Sequence, residues 1–262
     1  MTAAATQHTI LSRVTDPPLE LYTSDEAFRP NPTTVRFGRA VHVKPGDVVF
    51  DIGTGIGPLA IMAALAGARE VHGVDPVPIH CDFARRNAAK YGVEGRVTIH
   101  QGRLFEPLRG LQDTANGTNG APGTDHRLRA DIIIGDVSGI ADPIAHALGW
   151  YSSEVPAGGP DGADKIVALL ASAAEFLRPG GRLYFPVAMD LSDESRIKDA
   201  AADAFDSVEN ALDKPWVEFP LSEGEVRAIH EAYSGCLPGY IHIHQGRRPF
   251  WRGQILAASR PR

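Results

Sequence analysis

Apolar positions along this chain gather in short, nearly unbroken runs that alternate with longer amphipathic stretches. Residues 48–52, 70–74, 97–101, 131–134 and 182–187 read as strands. The apolar runs within 48–52 and 131–134 suit strands covered on both faces. Residues 58–66, 78–91 and 164–177 carry helical patterning between them, and Arg178-Pro179-Gly180-Gly181 reads as the stop of the last helix. Alternation of this kind predicts βαβ units and a parallel sheet. A further helix is expected around 192–205. The end reads as antiparallel: a strand at 239–244, a turn at Gln245-Gly246, and a strand at 251–259.

Residues 1–40 are polar and punctuated by Pro17-Pro18 and Pro30-Asn31-Pro32, and read as an N-terminal extension contributing to a substrate side. Residues 41–262 form the expected main domain, with a mobile insertion at about 110–126 where Gly, Asn, Thr and Asp dominate. With 262 residues, 43% of them hydrophobic, the chain can bury one sizeable core.

The strongest local signal is Val48-Val49-Phe50-Asp51-Ile52-Gly53-Thr54-Gly55-Ile56-Gly57, a buried strand delivering a glycine loop to a helix that opens at Pro58. Glycines at alternate positions let the backbone turn sharply beside a ligand. Val71-His72-Gly73-Val74-Asp75 then supplies a second strand ending in a carboxylate, suited to the two hydroxyls of a ribose. A dinucleotide fingerprint wants glycine where Pro58 stands, to pack helix and strand around a pyrophosphate. Asp51, two residues before the first glycine, is awkward for a pyrophosphate and useful for an ammonium group. That combination favours S-adenosylmethionine as cofactor.

Over residues 48–187 the pattern resembles the class I methyltransferases. The resemblance implies a seven-stranded, mostly parallel Rossmann-like sheet with an antiparallel edge strand and helices on both faces. It also implies a cofactor set of Asp51, Gly53, Thr54, Gly55, Gly57, Asp75, Pro76, Gly102, Arg103, Leu104 and Asp136. Relatives carry an aspartate where Arg103 stands, and a guanidinium cannot accept the hydrogen bond from an adenine amino group. Backbone atoms around Gly102 to Leu104, or a neighbour, must serve instead.

After the fourth strand, Gly135-Asp136-Val137-Ser138-Gly139 occupies the place where amino-methylating members carry Asn or Asp, then Pro-Pro and an aromatic. Asp136 matches the first position and the rest does not. An anionic acceptor without a stacking wall suits an amine, or a hydroxyl needing a general base, better than a planar amide; the bland reading is a capping residue. Gly158-Gly159-Pro160-Asp161-Gly162 resembles the release-factor glutamine methyltransferase branch, as does the lead-in Phe28-Arg29-Pro30-Asn31-Pro32-Thr33-Thr34, where a proline-rich strand passes the active site. That branch has a large N-terminal docking domain, which about 40 residues here do not match.

Asp136 and Tyr151 are the candidate catalytic residues, and Pro30, Asn31, Thr33, Ser138, Trp150 and Tyr151 the candidate acceptor contacts. Trp150 and Tyr151 could equally be surface packing. No metal is expected: His242 and His244 alternate on a strand without a third ligand, and His230 and Tyr240 have no spacing that places them in a site. The net charge of −6 and the lack of a long basic run argue against a nucleic-acid partner. Arg247, Arg248 and Arg252 read as a solvated hairpin or an anion-binding rim.

Met1 to Thr15 lacks a secretory pattern, no run reaches the ~18 apolar residues of a membrane helix, and Cys81 and Cys236 suggest neither a disulfide nor zinc. A cytoplasmic enzyme with no membrane partner is expected, with a homo-oligomer open. The leading expectation is methyl transfer to nitrogen or oxygen of a small-molecule acceptor in specialised metabolism. Three alternatives stand beside it: a protein glutamine or amine methyltransferase, a cofactor-consuming cyclase releasing methylthioadenosine, and a non-catalytic S-adenosylmethionine-binding module.

Overall fold

The structure, a computed structural model, describes residues 7–116, 128–150, 157–232 and 248–261. It falls into two compact units, Met1–Asp136 with Glu175–Leu183, and Val137–Ala174 with Tyr184–Arg262.

In the first unit, β1 (His8–Ser12) and β2 (Leu19–Thr23) pair as an antiparallel hairpin, followed by α1 (Pro32–Ala40). The alternating units then begin: β3 (Val48–Ile52), α2 (Pro58–Leu65), β4 (Glu70–Asp75), α3 (Pro78–Lys90), β5 (Val97–Gln101), α4 (Glu106–Asn116) and β6 (Ala130–Gly135). These strands lie in the order β5-β4-β3-β6, and the three pairs are parallel. Every residue of β3 is buried, as its unbroken apolar run requires of a central parallel strand. Seven of the eight α2 residues are buried too, so this helix has no polar face. Gly73 is demanded by packing: a Cβ there would lie 2.7 Å from Ile99 Cδ1 and 3.0 Å from Thr54 Oγ1.

The second unit holds α5 (Asp142–Ala147), most of α6 (Asp164–Phe176), the end of β7 (Leu177–Ala188), α7 (Glu194–Ala204), β8 (Phe205–Asn210), β9 (Val217–Pro220), α8 (Glu223–Ala232) and β10 (Phe250–Pro261). Here β7 is followed by β10 and β8, and both β8 and β9 pair antiparallel with β10. Ile144, Leu191, Phe219, Val226, Ile229 and Trp251 belong to its core, with the Phe219 and Trp251 rings stacked at 4.1 Å. The residues of β7 are divided between the two units, Leu177–Leu183 in the first and Tyr184–Ala188 in the second.

The α/β class, the mostly parallel sheet and the antiparallel end match the sequence reading. Three details differ. α6 ends at Phe176, just before the expected stop, but β7 begins at once and runs through Pro179-Gly180-Gly181, Gly180 taking φ +83. The Pro30–Pro32 segment is not a strand, because Asn31 caps α1 and Pro32 fills its first turn, where a missing N–H costs nothing. The low-complexity stretch begins inside α4, which extends to Asn116. Residues 117–126 of that insertion, the strand expected at 239–244 and its turn lie outside the described residues.

Candidate active site

Sheet register brings three carboxylates to one edge of the first unit. Ile52 of β3 is level with Val74 of β4 and with Gly135 of β6. Asp75 and Asp136, the next residues along, therefore flank the start of the glycine loop, and Asp51 lies one position below Ile52. With strands about 4.8 Å apart, the two flanking carboxylates stand roughly 10 Å from each other. This is the carboxyl end of a parallel sheet, where open α/β folds bind ligands.

Backbone bonds shape the loop. The Gly53 and Thr54 N–H groups both donate to Val74 O, at 2.8 and 3.0 Å, and Gly57 N–H donates to Thr54 O at 2.9 Å. Gly57 caps α2 at φ +91, a conformation strained for other residues. Gly55 takes φ +54 and faces open space: nothing lies within 4 Å of where its Cβ would be.

Asp75 is held by several donors. Gly55 N–H reaches Oδ2 at 3.0 Å, while Val77 N–H at 2.9 Å and His80 Nδ1 at 3.0 Å share Oδ1. A carboxylate accepts at about four lone-pair sites, so Asp75 keeps capacity for a ligand hydroxyl.

Asp51 is 0% exposed. Its Oδ2 accepts from Thr54 Oγ1 at 2.7 Å, and its Oδ1 has no hydrogen-bond partner among the described residues. Burial pushes its carboxyl up to about 7; the Thr54 hydroxyl opposes this, and the charges of Asp136 and Asp75 add to it. Asp136, partly buried, is pushed up to about 6, again by burial, with the Thr34 hydroxyl opposing. Among the described residues no cationic side chain opposes either rise. The edge is thus a negative site that these residues leave uncompensated.

The remaining sequence candidates distribute unevenly. Pro76 and Arg103 are exposed. Gly102 N–H donates to Asp75 O at 3.0 Å, and Leu104 takes φ +46, unusual for a residue with a side chain. Asn31 Oδ1 accepts from the N–H groups of Thr33 and Thr34, at 2.8 and 3.1 Å, so its oxygen serves the helix cap. Pro30 precedes that cap and is half-buried.

The residue that reaches Asp136 is Thr34, whose Oγ1 donates to Oδ2 at 2.7 Å. In the second unit Ser138 has a buried Oγ without a partner among the described residues, and Trp150 packs against the hydrophobic core there. Tyr151, His242, His244, Tyr240, Cys236 and Arg247 lie outside the described residues.

Three side chains missed in the sequence complete the site: Thr34, His80 and Asn87. Asn87 is fully buried on α3, where its Nδ2 donates to Ile56 O in the glycine loop at 2.9 Å and to Tyr22 O at 3.0 Å. Asn31 between two prolines is compatible with a helix cap but equally with a turn; the links made by His80 and Asn87 had no local signal.

Comparison with known proteins finds methyltransferases. The family profile "Ribosomal protein L11 methyltransferase (PrmA)" matches residues 36–145. A ribosomal protein L11 methyltransferase of Pelotomaculum thermopropionicum is 46% identical over 72 residues, 28% of this chain and 23% of the relative. A release factor glutamine methyltransferase of Moorella thermoacetica is 34% identical over 151 residues, 54% of this chain and 46% of the relative. The chain therefore spans between about a quarter and a half of the length of these curated relatives.

Among solved structures, a Thermus thermophilus 16S rRNA N2 G1207 methyltransferase in complex with AdoMet and guanosine aligns with TM-score 0.57 at 16% identity, covering 98% of this chain and 51% of that one. A precorrin 8w decarboxylase of Methanobacterium thermoautotrophicum aligns with TM-score 0.51 at 15% identity, covering 90% and 95%. The fold is the class I methyltransferase fold.

These findings correct the expected partners. The matched relatives are named for ribosomal protein L11 and for release factor, so the small-molecule acceptor of specialised metabolism is overturned. Among the described residues no helix is long and apolar enough to cross a membrane.

Proposed function

We propose that this chain, a class I methyltransferase by fold, transfers a methyl group from S-adenosylmethionine to a nitrogen of a protein substrate. The observation that carries this reading is the pair of carboxylates Asp51 and Asp136, whose rise no cationic side chain among the described residues opposes, beside Asp75 and an open glycine loop. The residues present fit the cofactor. Asp75 retains acceptor capacity for a ribose, Gly55 leaves room for close approach, and the buried charges of Asp51 and Asp136 favour a ligand bearing positive charge. Asp51 is sealed from solvent, so it contributes through its field and through Thr54. Gly53, Thr54, Gly57, Pro76, Gly102, Arg103 and Leu104 complete the proposed cofactor side.

When bound, S-adenosylmethionine supplies the activated methyl group, so the protein's task is alignment and proton handling. Asp136, held at about 6 and oriented by Thr34, is mostly ionised at neutral pH and can accept a proton from an incoming amine. An anionic acceptor of this kind serves a primary amine, which sheds an ammonium proton to expose its lone pair, better than an amide, whose nitrogen lone pair stays delocalised into the carbonyl. An amine of a protein side chain or chain terminus is therefore the favoured acceptor class, and glutamine the second.

Incubation with methyl-labelled S-adenosylmethionine and a ribosomal protein fraction tests this, with a metabolite fraction as comparison. Label fixed in protein at an amine is expected. Label confined to small molecules, or release of methylthioadenosine, would overturn the reading.

A further inference from the structure

His80 is buried at the start of α3 and bridges the end of β4 to the segment that leads into α1. Its Nε2 lies 2.9 Å from the backbone nitrogen of Phe28, which has a hydrogen to donate. Nε2 must then be the acceptor nitrogen, and the ring proton of the neutral imidazole sits on Nδ1. Nδ1–H donates to Asp75 Oδ1 at 3.0 Å. One tautomer thus satisfies both contacts, with no donor or acceptor left over.

Both ends of the bridge matter to the site. Asp75 is the carboxylate at the end of β4, oriented also by Gly55 and Val77. Phe28 lies three residues before Asn31, which caps α1, and α1 carries Thr34 onto Asp136. The path from the β4 carboxylate to the β6 carboxylate therefore runs Asp75, His80, Phe28, the α1 cap, Thr34, Asp136. An imidazole is suited to this place because its donor and acceptor sit on separate ring atoms that point to opposite sides, one toward a carboxylate and one toward an N–H.

We propose that His80 is a positioning residue that locks the Asp75 carboxylate for the cofactor's ribose and couples cofactor binding to ordering of residues 24–31 on the acceptor side. This rests on the reading of Asp75 as the ribose carboxylate. Asn and Gln substitutions divide the two contacts, since an Asn amide nitrogen falls near Nδ1 and a Gln amide oxygen can fall near Nε2. His80→Asn keeps the donor to Asp75 and loses the Phe28 link. His80→Gln does the reverse.

The test titrates S-adenosylhomocysteine calorimetrically into the full chain, its Asp75→Ala variant, and the His80→Ala, His80→Asn and His80→Gln variants. Amide exchange across residues 24–31 is followed with and without the ligand. A hydrogen bond to a carboxylate contributes enough that His80→Ala and His80→Gln should bind about tenfold more weakly or worse. His80→Asn should return to within about threefold of the parent. Ligand should slow exchange at the Phe28 amide in the parent and not in His80→Asn.

Parent-like affinity in His80→Gln, with Asp75→Ala impaired, would overturn the role of His80 alone. Equal losses in His80→Asn and His80→Gln would also overturn it, because the Nδ1 donor would then not be the cause. Parent-like affinity in Asp75→Ala would overturn the ribose reading itself.

Discussion

Thr34 Oγ1 donates a hydrogen bond to Asp136 Oδ2 at 2.7 Å, across 102 residues of sequence. Thr34 is also the third residue of α1, and its hydroxyl accepts from Asn31 N–H at 3.4 Å in the capping box. The helix cap thereby aims the hydroxyl: it accepts from Asn31 N–H, and its proton goes to Asp136 Oδ2 at 2.7 Å in preference to Asn31 Oδ1 at 3.4 Å. A loop residue could make the same contact, but not in a fixed direction. α1 makes Asp136 an oriented acceptor.

Thr34→Val keeps the shape of the side chain and removes the donor. Turnover should fall about tenfold, the worth of one hydrogen bond to a charged group, while cofactor affinity stays near the parent value. The Thr34 hydroxyl holds the Asp136 carboxyl below where burial alone would put it, at about 6. Its loss raises that value further. The acid limb of the rate profile, expected near pH 6 in the parent, should therefore move to higher pH in Thr34→Val and stay in place in Thr34→Ser. An unmoved limb in the valine variant would remove Asp136 as the proton acceptor.

Asp51 makes a prediction about stability with a definite sign. Its folded-state value of about 7 stands above the ordinary 3.8. Between those values the folded protein holds more protons than the unfolded chain, so this group's contribution to stability declines as pH rises through that window and is lowest above about 7. Each pH unit of that window corresponds to about 1.4 kcal/mol, so the whole effect is on the order of a few kcal/mol. Asp51→Asn cannot ionise. Its urea midpoint, measured against the parent, should gain more at pH 8 than at pH 5. The same variant should bind S-adenosylmethionine more weakly at pH 8, because the negative field has gone.

The parallel half of the fold was legible because β3 and β6 are short apolar runs, and because β3 and β4 carry carboxylates at or next to their ends, the first of them leading into the glycine loop. Their pattern carries both element and function. The lead-in was less legible because Pro30-Asn31-Pro32 suits a turn or a helix start equally, and only the capping bonds of Asn31 decide between them. Gly180 and Gly181 were ambiguous in the same way. A glycine pair ends a helix or kinks a strand, and here the strand continues at φ +83. The partners of β10 depend on long-range pairing with β8 and β9, which no local pattern encodes. Thr34, His80 and Asn87 act through contacts made 102, 52 and 65 residues away.

Gly162 lies in the Gly158–Gly162 turn of the second unit, which ties the segment before α5 to the segment before α7. Its φ is +80, and a Cβ there would sit 2.7 Å from Ala141 N and 2.8 Å from Ser192 Cβ. Backbone strain and overpacking act together, so Gly162→Ala should cost about 2–4 kcal/mol. Gly180 has a similar φ of +83 with nothing within 4 Å of its Cβ position, so Gly180→Ala meets strain alone, about 1 kcal/mol. Urea unfolding of the two variants separates the two effects. Equal losses would mean that crowding in the turn contributes nothing.

Asn87 holds β2 and the glycine loop together from one buried amide. Its Oδ1 accepts from Tyr22 N–H at 2.7 Å, and its Nδ2 donates to Tyr22 O and to Ile56 O at 3.0 and 2.9 Å. Asn87→Ala strands three backbone groups, which should cost about 2–4 kcal/mol in unfolding. Asn87→Asp keeps the acceptor for Tyr22 N–H but sets a carboxylate against the carbonyls of Tyr22 and Ile56. Those two oxygens then face another acceptor, and the buried charge adds its own desolvation. The aspartate variant should therefore be at least as unstable as the alanine variant, and both should weaken S-adenosylhomocysteine binding through the loosened Ile56 carbonyl. An aspartate variant with parent-like stability and affinity would show that the bond to Tyr22 N–H alone joins hairpin to helix, and that the glycine loop keeps its shape without Asn87.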